Sequence, residues 1–346
     1  MTSHMLREIR SQGDAWSAAN AAVDAAGPEL ADALAGATPE TLLLGAGSSY
    51  YLGVAARAAW VRRGRSATAV PSSEALLHPE LYPVARGGLV LGISRSGTTT
   101  ETLRALTALR AGGAVTVGIT TAPLTPIADT SDYALIIPGA AEDSTVQTRS
   151  FSAQFVAALA LAALAGRDEP ARAALRRLPE LAPGWIARAD EAVTPLAMGP
   201  ERIYVLGTGD RWGLAMEGAL KLKETSLTES EAFQTLEFRH GPQSMVDEDA
   251  LVVGLLGDDP SGAETAVLRE MTHLGARVLV VCEEPLDDDA VPGATVLAME
   301  SGLPGEARLP LYLPPLQLLA HHRGAGKGLD PDHPRNLRFS IELERI

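Results

Sequence analysis

Cysteine is all but missing: Cys282 is the single one in 346 residues. One thiol excludes an internal disulfide framework and any Cys-based metal cluster. Positive charge is short as well, with 29 Lys+Arg against 43 Asp+Glu and a formal net charge of −14. Aromatic residues make up only 4%. The chain therefore offers neither a basic face nor a stacking platform, and nucleic acid is excluded as a partner. Long apolar runs are absent too. The longest, near Phe155–Gly166, falls short of the roughly 18–20 residues a membrane span needs. No charged-then-apolar leader opens the sequence, so the expectation is a soluble, cytoplasmic protein with no membrane partner. Lysine is the last scarcity, with only Lys221, Lys223 and Lys327 present. Arginine serves wherever any cation will do. A lysine retained in such a chain points to a need for a compact ammonium or a tunable amine.

What is present is ordinary globular material, 46% hydrophobic and 21% charged with 33 Gly and 23 Pro, enough for two cores. The chain repeats itself. Thr41–Gly47 (TLLLGAG) is echoed by Arg202–Gly209 (RIYVLGTG), Gly88–Ile93 (GLVLGI) by Ala250–Leu255 (ALVVGL), and Gly113-Ala-Val-Thr-Val by Gly275-Ala-Arg-Val-Leu. Gly45 and Gly207, Gly92 and Gly254, and Gly113 and Gly275 are each 162 residues apart. Three apolar runs in phase without a gap indicate an internal duplication. Within each copy, short β-branched runs alternate with Ala/Leu/Arg-rich stretches of helical period, such as Tyr51–Arg63 and Glu101–Ala111. Strand–helix alternation at this spacing implies a parallel sheet covered by helices on both faces. The expected organisation is an N-terminal helical segment over 1–35, with an amphipathic helix at 3–26, and an α/β sandwich over 36–165. A helical linker over 166–194, a second sandwich over 195–325 and a polar, Pro-punctuated tail over 326–346 that wraps back over the body, closing over the active site, complete it.

Ligands of doubly wound folds sit at the carboxyl ends of strands, where helix N-termini offer free amides. After the second apolar run comes Ser94-Arg95-Ser96-Gly97-Thr98-Thr99-Thr100-Glu101. Glycine lets the backbone turn its N–H groups toward an anion and hydroxyls complete the shell. A helix cap needs one or two such residues, and five hydroxyls in eight positions point instead to phosphate. The equivalent stretch of the second copy, Leu256-Gly257-Asp258-Asp259-Pro260-Ser261-Gly262-Ala263, carries adjacent carboxylates that repel an anion. The ligand is accordingly expected to carry one phosphate. Gly45-Ala46-Gly47 is not a dinucleotide fingerprint: Tyr50 stands where the third glycine belongs, and the nearest downstream acid is Glu74. Ser48 and Ser49 read as further donors to a polar ligand.

Glu217-Gly-Ala-Leu-Lys221-Leu-Lys223-Glu224 is helical by composition, and Glu217, Lys221 and Glu224 share one face. A solvated salt-bridge ladder explains this as well as proton-transfer chemistry does. What favours chemistry is His240, in Phe233–Pro242 (FQTLEFRHGP), on a loop that can approach the same region. Carboxylate, amine and imidazole beside a phosphate anchor suit proton transfer on a sugar phosphate. No metal is expected, because the adjacent His321 and His322 cannot share a helical face.

The hydroxyl loop, the EGALKLKE run, the FRHGP motif and the tail Asp332-His-Pro-Arg-Asn-Leu together resemble the SIS (sugar isomerase) superfamily. They are similar in particular to the isomerase half of glucosamine-6-phosphate synthase and its free-standing relatives. The resemblance covers nearly the whole chain in motif order. It implies two tandem flavodoxin-like αβα sandwiches (SIS domains), a small-molecule sugar-phosphate ligand, no cofactor, and a homodimer with shared active sites. By position it implies phosphate binding by Ser94, Ser96 and Thr99 with the Arg95 and Gly97 amides, and sugar contacts from Ser48 and Ser49. Glu224 matches the base that moves a proton between C1 and C2, Lys221 its assistant, and His240 a ring-opening histidine from the neighbouring subunit.

Two departures narrow the reading. The sequence shows no glutaminase domain with a nucleophilic N-terminal cysteine. Where the synthase-like pattern has a Schiff-base lysine, Asn336-Leu337-Arg338 is followed by Phe339, and Lys327 is the sole tail lysine. Arginine does not replace an imine-forming amine. The expected activity is that of a phosphosugar isomerase/deaminase on a 6-phosphorylated aminosugar or ketosamine. The alternatives are aldose–ketose isomerisation, fructosamine-6-phosphate deglycation, and a non-catalytic sugar-phosphate sensor.

Overall fold

The protein was analysed as a computed structural model, which describes residues 3–259 and 261–343. The chain divides into two compact units. The first comprises Ser11–Glu180 with Arg338–Ile346, and the second comprises Met1–Arg10 with Leu181–Leu337.

Each unit is built on five strands, all parallel. In the first, β1 (Glu40–Gly45), β2 (Ser66–Pro71), β3 (Leu89–Ile93), β4 (Val115–Thr120) and β5 (Tyr133–Ile136) take the order β2-β1-β3-β4-β5. In the second, β6 (Arg202–Gly207), β7 (Glu229–Phe233), β8 (Ala250–Leu255), β9 (Arg277–Cys282) and β10 (Thr295–Ala298) run β7-β6-β8-β9-β10. The two orders are the same once the 162-residue offset is applied. The α/β class and the twin parallel sheets expected from strand–helix alternation are both present. Every residue of β3 and β8 is buried, as strands covered on both faces require.

The duplicated glycines do the same work in both copies. A Cβ on Gly45 would lie 2.4 Å from the backbone carbon of Ser49, and one on Gly207 would lie 2.6 Å from the carbonyl oxygen of Arg211. In each unit the strand end therefore touches the first turn of the following helix, and nothing larger than glycine fits. Gly92 and Gly254 likewise sit under Leu106 and Leu268, each with an added Cβ 2.3 Å from a leucine Cδ1. Those leucines are themselves 162 residues apart.

Thirteen helices accompany the sheets among the described residues. They are α1 (His4–Arg10), α2 (Gln12–Ala25), α3 (Gly27–Gly36), α4 (Ser48–Arg62), α5 (Ser72–Leu77), α6 (Thr100–Ala111), α7 (Pro126–Thr130), α8 (Arg149–Ala165), α9 (Glu169–Leu175), α10 (Leu178–Val193), α11 (Asp210–Ser226), α12 (Ala263–His273) and α13 (Leu313–Gly326). The single N-terminal helix read over 3–26 is two, parted at Ser11, whose hydroxyl accepts from Arg149 at 2.9 Å. Gly27, at φ +77°, and Pro28 then turn the chain into α3. The expected linker holds α9, capped by the Asp168 carboxylate on the Ala171 amide, and α10.

The apolar run at Phe155–Gly166 belongs to α8, whose residues Ser150–Ala163 are all buried against α2, α3 and α4. Among the described residues, no helix is long and apolar enough to cross a membrane. Its counterpart in the second unit, α13, crosses α11 closely. A Cβ on Gly218 would meet Leu316 at 2.8 Å and one on Gly324 would meet the Thr225 carbonyl at 2.5 Å. The described part of the tail, up to Leu343, is without helix or strand beyond α13; the rest of the expected 326–346 segment, like Pro260 and the first two residues, lies outside the described residues.

Candidate active site

The residues singled out from the sequence divide between the units: Ser48, Ser49 and Ser94–Thr99 belong to the first, and Lys221, Glu224 and His240 to the second. In the first unit the strand order reverses between β1 and β3, which pair directly, Leu44 beside Gly92. The carboxyl ends at such a reversal form a crevice where α/β sheets bind ligands. Ser48 and Ser49 open α4 just beyond β1, and both are buried. The hydroxyl loop follows β3.

Its hydroxyls are not spent on capping. Thr99 stands at the N-cap of α6 but makes no side-chain bond to the helix; its hydroxyl pairs with the Ser94 hydroxyl at 2.9 Å. The Ser94 hydroxyl also accepts the Gly97 amide at 3.1 Å, and the Ser96 hydroxyl accepts the Thr98 amide and hydroxyl at 3.3 and 3.0 Å. The loop is thereby folded on itself at the start of a twelve-residue helix whose first-turn amides favour an anion. Gly97 makes the turn possible. Its φ is +67°, and a Cβ there would lie 2.1 Å from the Thr125 hydroxyl oxygen.

Arg95 behaves otherwise than a loop cation. Its side chain is buried, donating to the carbonyls of Thr145 at 2.8 Å, Ser144 at 3.4 Å and Phe339 at 2.6 Å, with the Glu142 carboxylate 3.8 Å away. Only its amide remains for the role read from the sequence.

The corresponding loop of the second unit has filled its own cradle. Arg211, at the position equivalent to Ser49, sends its guanidinium over Gly257, where a Cβ would lie 2.2 Å from Nη1. It forms a bidentate pair with Glu264 at 2.9 and 3.1 Å. Glu264 also accepts the Gly257 amide at 3.1 Å, while Asp259 accepts the amides of Ser261 at 2.9 Å and Glu264 at 3.0 Å. The Ser261 hydroxyl and then the Glu264 amide hold the Asp259 carboxyl below its usual range. The amides of this second loop are thus taken by the protein's own carboxylates.

The second unit supplies the charged constellation. Lys221 Nζ lies 3.1 Å from a Glu217 carboxylate oxygen and 2.5 Å from one of Glu224. The side chains of Lys221 and Glu217 are 1% exposed and that of Glu224 is 18% exposed. The solvated ladder is excluded: Glu217 and Lys221 are buried, and of the three only Glu224 reaches solvent. Burial pushes the Lys221 ammonium down, but the Glu217 and Glu224 carboxylates outweigh it and hold its pKa above the ordinary lysine value. Lys221 thus stands as a buried cation fixed between the two carboxylates. Lys223, two residues on, is exposed on another face. The resemblance of the two lysines is one of sequence position only.

The FRHGP segment is anchored on both sides of its histidine. Phe238 packs against Tyr204 and Phe233, with ring centroids 5.2 and 5.3 Å apart, and Arg239 pairs with Glu270 at 2.7 Å. His240 is exposed, and among the described residues it forms no bond to Lys221 or Glu224. In the tail, Asp332 accepts the amides of His4 and Met5 at 2.8 Å each, capping α1. Lys327 donates to the Ser226 carbonyl and the Thr228 hydroxyl at 2.9 Å each. These roles, and the Arg211–Glu264 plug, join residues far apart in sequence and had no local signal.

The SIS domain family matches residues 36–164 and 198–292. Glutamine–fructose-6-phosphate aminotransferase (isomerizing) of Pyrobaculum aerophilum is 32% identical over 351 residues, covering 98% of this chain and 57% of that protein. The chain spans about half the length of the curated relatives it matches. Among solved structures, glucosamine-6-phosphate deaminase from Thermotoga maritima superimposes with a TM-score of 0.80 at 27% identity, covering 99% of this chain and 100% of that one. Tagatose-6-phosphate ketose/aldose isomerase from Escherichia coli gives 0.80 at 23% identity, over 97% of each chain, and shares the fold.

Proposed function

The chain belongs to the SIS domain family, and from that premise we propose that it is a cytoplasmic phosphosugar isomerase/deaminase whose substrate is a 6-phosphorylated aminosugar or ketosamine. The observation that carries this reading is the Glu217–Lys221–Glu224 constellation. One carboxylate is held by a buried ammonium that is itself fixed by a second, buried carboxylate, and it alone of the three reaches solvent. That is what a C–H base requires: a lone pair free to accept, on a side chain with one available position.

In this scheme Ser94, Ser96, Thr99 and the Arg95 and Gly97 amides hold the phosphate, and Ser48 and Ser49 contact the sugar. The enzyme is a homodimer, and His240 opens the ring in the partner's site. Glu224 then takes the proton from C2 and returns it to C1. With an amino group on C2, this transfer converts the open-chain aminoaldose to the C2 imine of the ketose. Water adds to that imine and ammonia departs, leaving the ketose 6-phosphate. The imine nitrogen comes from the substrate, so no protein lysine is needed. The occupied state of Lys327 favours this route over amine transfer through a tail lysine. Simple aldose–ketose isomerisation uses the same Glu224 and differs only in releasing no ammonia.

The test is proton NMR in D₂O with glucosamine 6-phosphate and fructose 6-phosphate, wild type beside Glu224→Gln, with ammonia assayed on the same samples. Loss of the C1 or C2 proton signal with wild type alone supports Glu224 as the shuttle, and ammonia separates deaminase from isomerase. Absence of exchange with both sugars, while both still protect the fold against heat, rejects the enzyme in favour of a sensor.

A further inference from the structure

The hydroxyl loop is fastened at its first turn to two other parts of its own unit. Its backbone is held at the end of β4. There the Ser94 amide donates to the Ile119 carbonyl at 3.0 Å, and the Arg95 carbonyl accepts the hydroxyls of Thr120 at 3.0 Å and Thr121 at 3.1 Å. Its one arginine side chain is held beyond β5. The guanidinium donates to the Thr145 carbonyl at 2.8 Å and the Ser144 carbonyl at 3.4 Å, and Nη1 lies 3.8 Å from a Glu142 carboxylate oxygen. The side chains of this ion pair are buried, Arg95 at 5% exposed and Glu142 at 0%. Glu142 in turn is fastened to α8. One carboxylate oxygen accepts the Thr148 amide at 2.6 Å and the Thr148 hydroxyl at 2.7 Å, and the other accepts the Ser150 hydroxyl. Thr148 stands at the N-cap without capping the helix itself, so the carboxylate takes the place that a helix start keeps for negative charge. Because α8 is buried from Ser150 to Ala163, one chain of contacts runs from the hydroxyl loop through Arg95 and Glu142 to the core.

The second unit repeats the bridge with its charges exchanged. Arg308, beyond β10 and with a side chain 6% exposed, pairs with Asp258 in the loop beyond β8. The cation has changed sides between the copies, yet both keep a charged tie from the loop after the third strand to the segment after the fifth. We propose that Glu142 is a positioning residue of the phosphate loop: through the Arg95 side chain it ties Ser94–Thr99 to α8, and it keeps the guanidinium out of the crevice so that an anion meets amides and hydroxyls. The proposal rests on the reading of that loop as the phosphate site. A buried guanidinium that loses its counter-charge is destabilised where it lies. It is relieved by moving toward solvent or toward a bound anion, and the loop shifts with it, because Arg95 also supplies the backbone anchored to Thr120 and Thr121.

Two measurements test this on wild type, Glu142→Gln, Arg95→Gln, the double variant Arg95→Gln/Glu142→Gln, and Ser94→Ala. The first is the dissociation constant for inorganic phosphate by calorimetry, and the second is amide hydrogen exchange over residues 94–100 without ligand. Glutamine at 142 keeps an acceptor for Thr148 and gives up the charge. The double variant buries no unpaired ion, so it folds even where a single variant does not. Glu142→Gln should weaken phosphate about 2–30-fold, the range for a residue that acts at one remove from the ligand, and should speed exchange at 94–100. The double variant should be weaker than wild type and no weaker than the poorer single variant, because one path is then cut twice. The Phe339 carbonyl, which Arg95 also meets at 2.6 Å, drops out of the cycle, since that contact is lost with and without Glu142.

A residue that only caps α8 would alter exchange near 142–150 and leave the phosphate affinity of the folded protein where it was. Phosphate binding equal to wild type in Glu142→Gln, or in the double variant, therefore overturns the proposal. Losses that multiply in the double variant overturn it as well, since Glu142 would then act independently of Arg95. Ser94→Ala separates the proposal from its premise. If that variant binds phosphate as well as wild type does, the phosphate reading falls. Faster exchange at 94–100 in Glu142→Gln then still supports the tie between Glu142 and the loop, and unchanged exchange rejects the tie too.

Discussion

Lys221→Met should unfold the second unit far more readily than any surface substitution, and the structure sets the size of the effect. The ammonium lies 3.1 and 2.5 Å from two carboxylate oxygens, gross attractions of about 5 and about 7 kcal/mol at an effective dielectric constant near 20. The desolvation of three charged groups offsets most of that in the wild type. In the variant the attraction disappears, but Glu217, with a side chain 1% exposed, stays buried and uncompensated. Removing one partner of such a set costs about 3–5 kcal/mol. With a urea m-value of about 3 kcal/mol/M for a unit of this size, the midpoint falls by about 1–1.7 M. Glu217→Leu/Lys221→Met removes the buried charge along with its partner and should recover most of the loss, while remaining unable to exchange the substrate proton.

The pH dependence follows with a definite sign. The folded pKa of Lys221 is raised, so its contribution is complete below the ordinary lysine value of 10.5 and fades as pH climbs above it. Wild-type stability should therefore fall in that alkaline window by more than that of the double variant. Urea unfolding by tryptophan fluorescence across pH 7–11 measures both effects. A Lys221→Met midpoint within 0.3 M of wild type would refute the reasoning, since it would mean that Glu217 is not buried as a charge.

Three further outcomes are expected. Gly97→Ala forces a left-handed φ of +67° and a contact of 2.1 Å with the Thr125 hydroxyl; it should cost about 1–3 kcal/mol in the first unit and abolish thermal protection by phosphate esters. Borohydride added with fructose 6-phosphate should leave the mass of the chain unchanged, because Lys327 is bound to Ser226 and Thr228; a sugar adduct on that residue would show otherwise. The Cys282 thiol, whose pKa burial and then the Glu283 and Glu284 carboxylates push up to about 12, should not react with an aromatic disulfide at pH 8 until urea unfolds the protein, so rapid native labelling would contradict its burial.

The parts of this molecule that could be read from its sequence are those carried by local rules. Apolar runs closing in glycine, repeated at one offset, announced twin parallel sheets because Gly45, Gly92, Gly207 and Gly254 are each forced by a contact within the same strand–helix unit. The Glu217, Lys221 and Glu224 spacing announced a shared helical face for the same reason. Whether that face was solvated was not legible, since burial is set by tertiary packing and not by spacing within the helix. The helix break at Ser11 was missed on similar grounds: no proline marks it, Gly13 lies inside the first turn of α2, and the residue that meets the Ser11 hydroxyl is Arg149.

Arg95 shows most clearly how type and position can point one way and packing another. From the sequence the Arg95 amide is assigned to the phosphate, and nothing there places its side chain. The side chain instead meets Thr145 and Phe339, the latter 244 residues away. The duplicated loop makes the complementary argument. The two copies share strand order, glycine contacts and offset, so the scaffold alone does not decide which crevice takes an anion. Besides the acidic residues of the second loop itself, the two crevices differ at two positions. Where the first copy has the small hydroxyl of Ser49, the second has Arg211, and where the first has Thr102, the second has Glu264. The Arg211–Glu264 pair fills the space over Gly257 and takes its amide. Truncating both, as Arg211→Ser/Glu264→Thr, should empty that crevice at a cost to the second unit and still not create an affinity comparable to that of the first loop. Asp258 and Asp259 remain beside it, and adjacent carboxylates oppose an anion. Phosphate binding at one site per chain by equilibrium dialysis, unchanged in the double variant, is the expected result; a second site of equal affinity would show that the ion pair alone silences the duplicate.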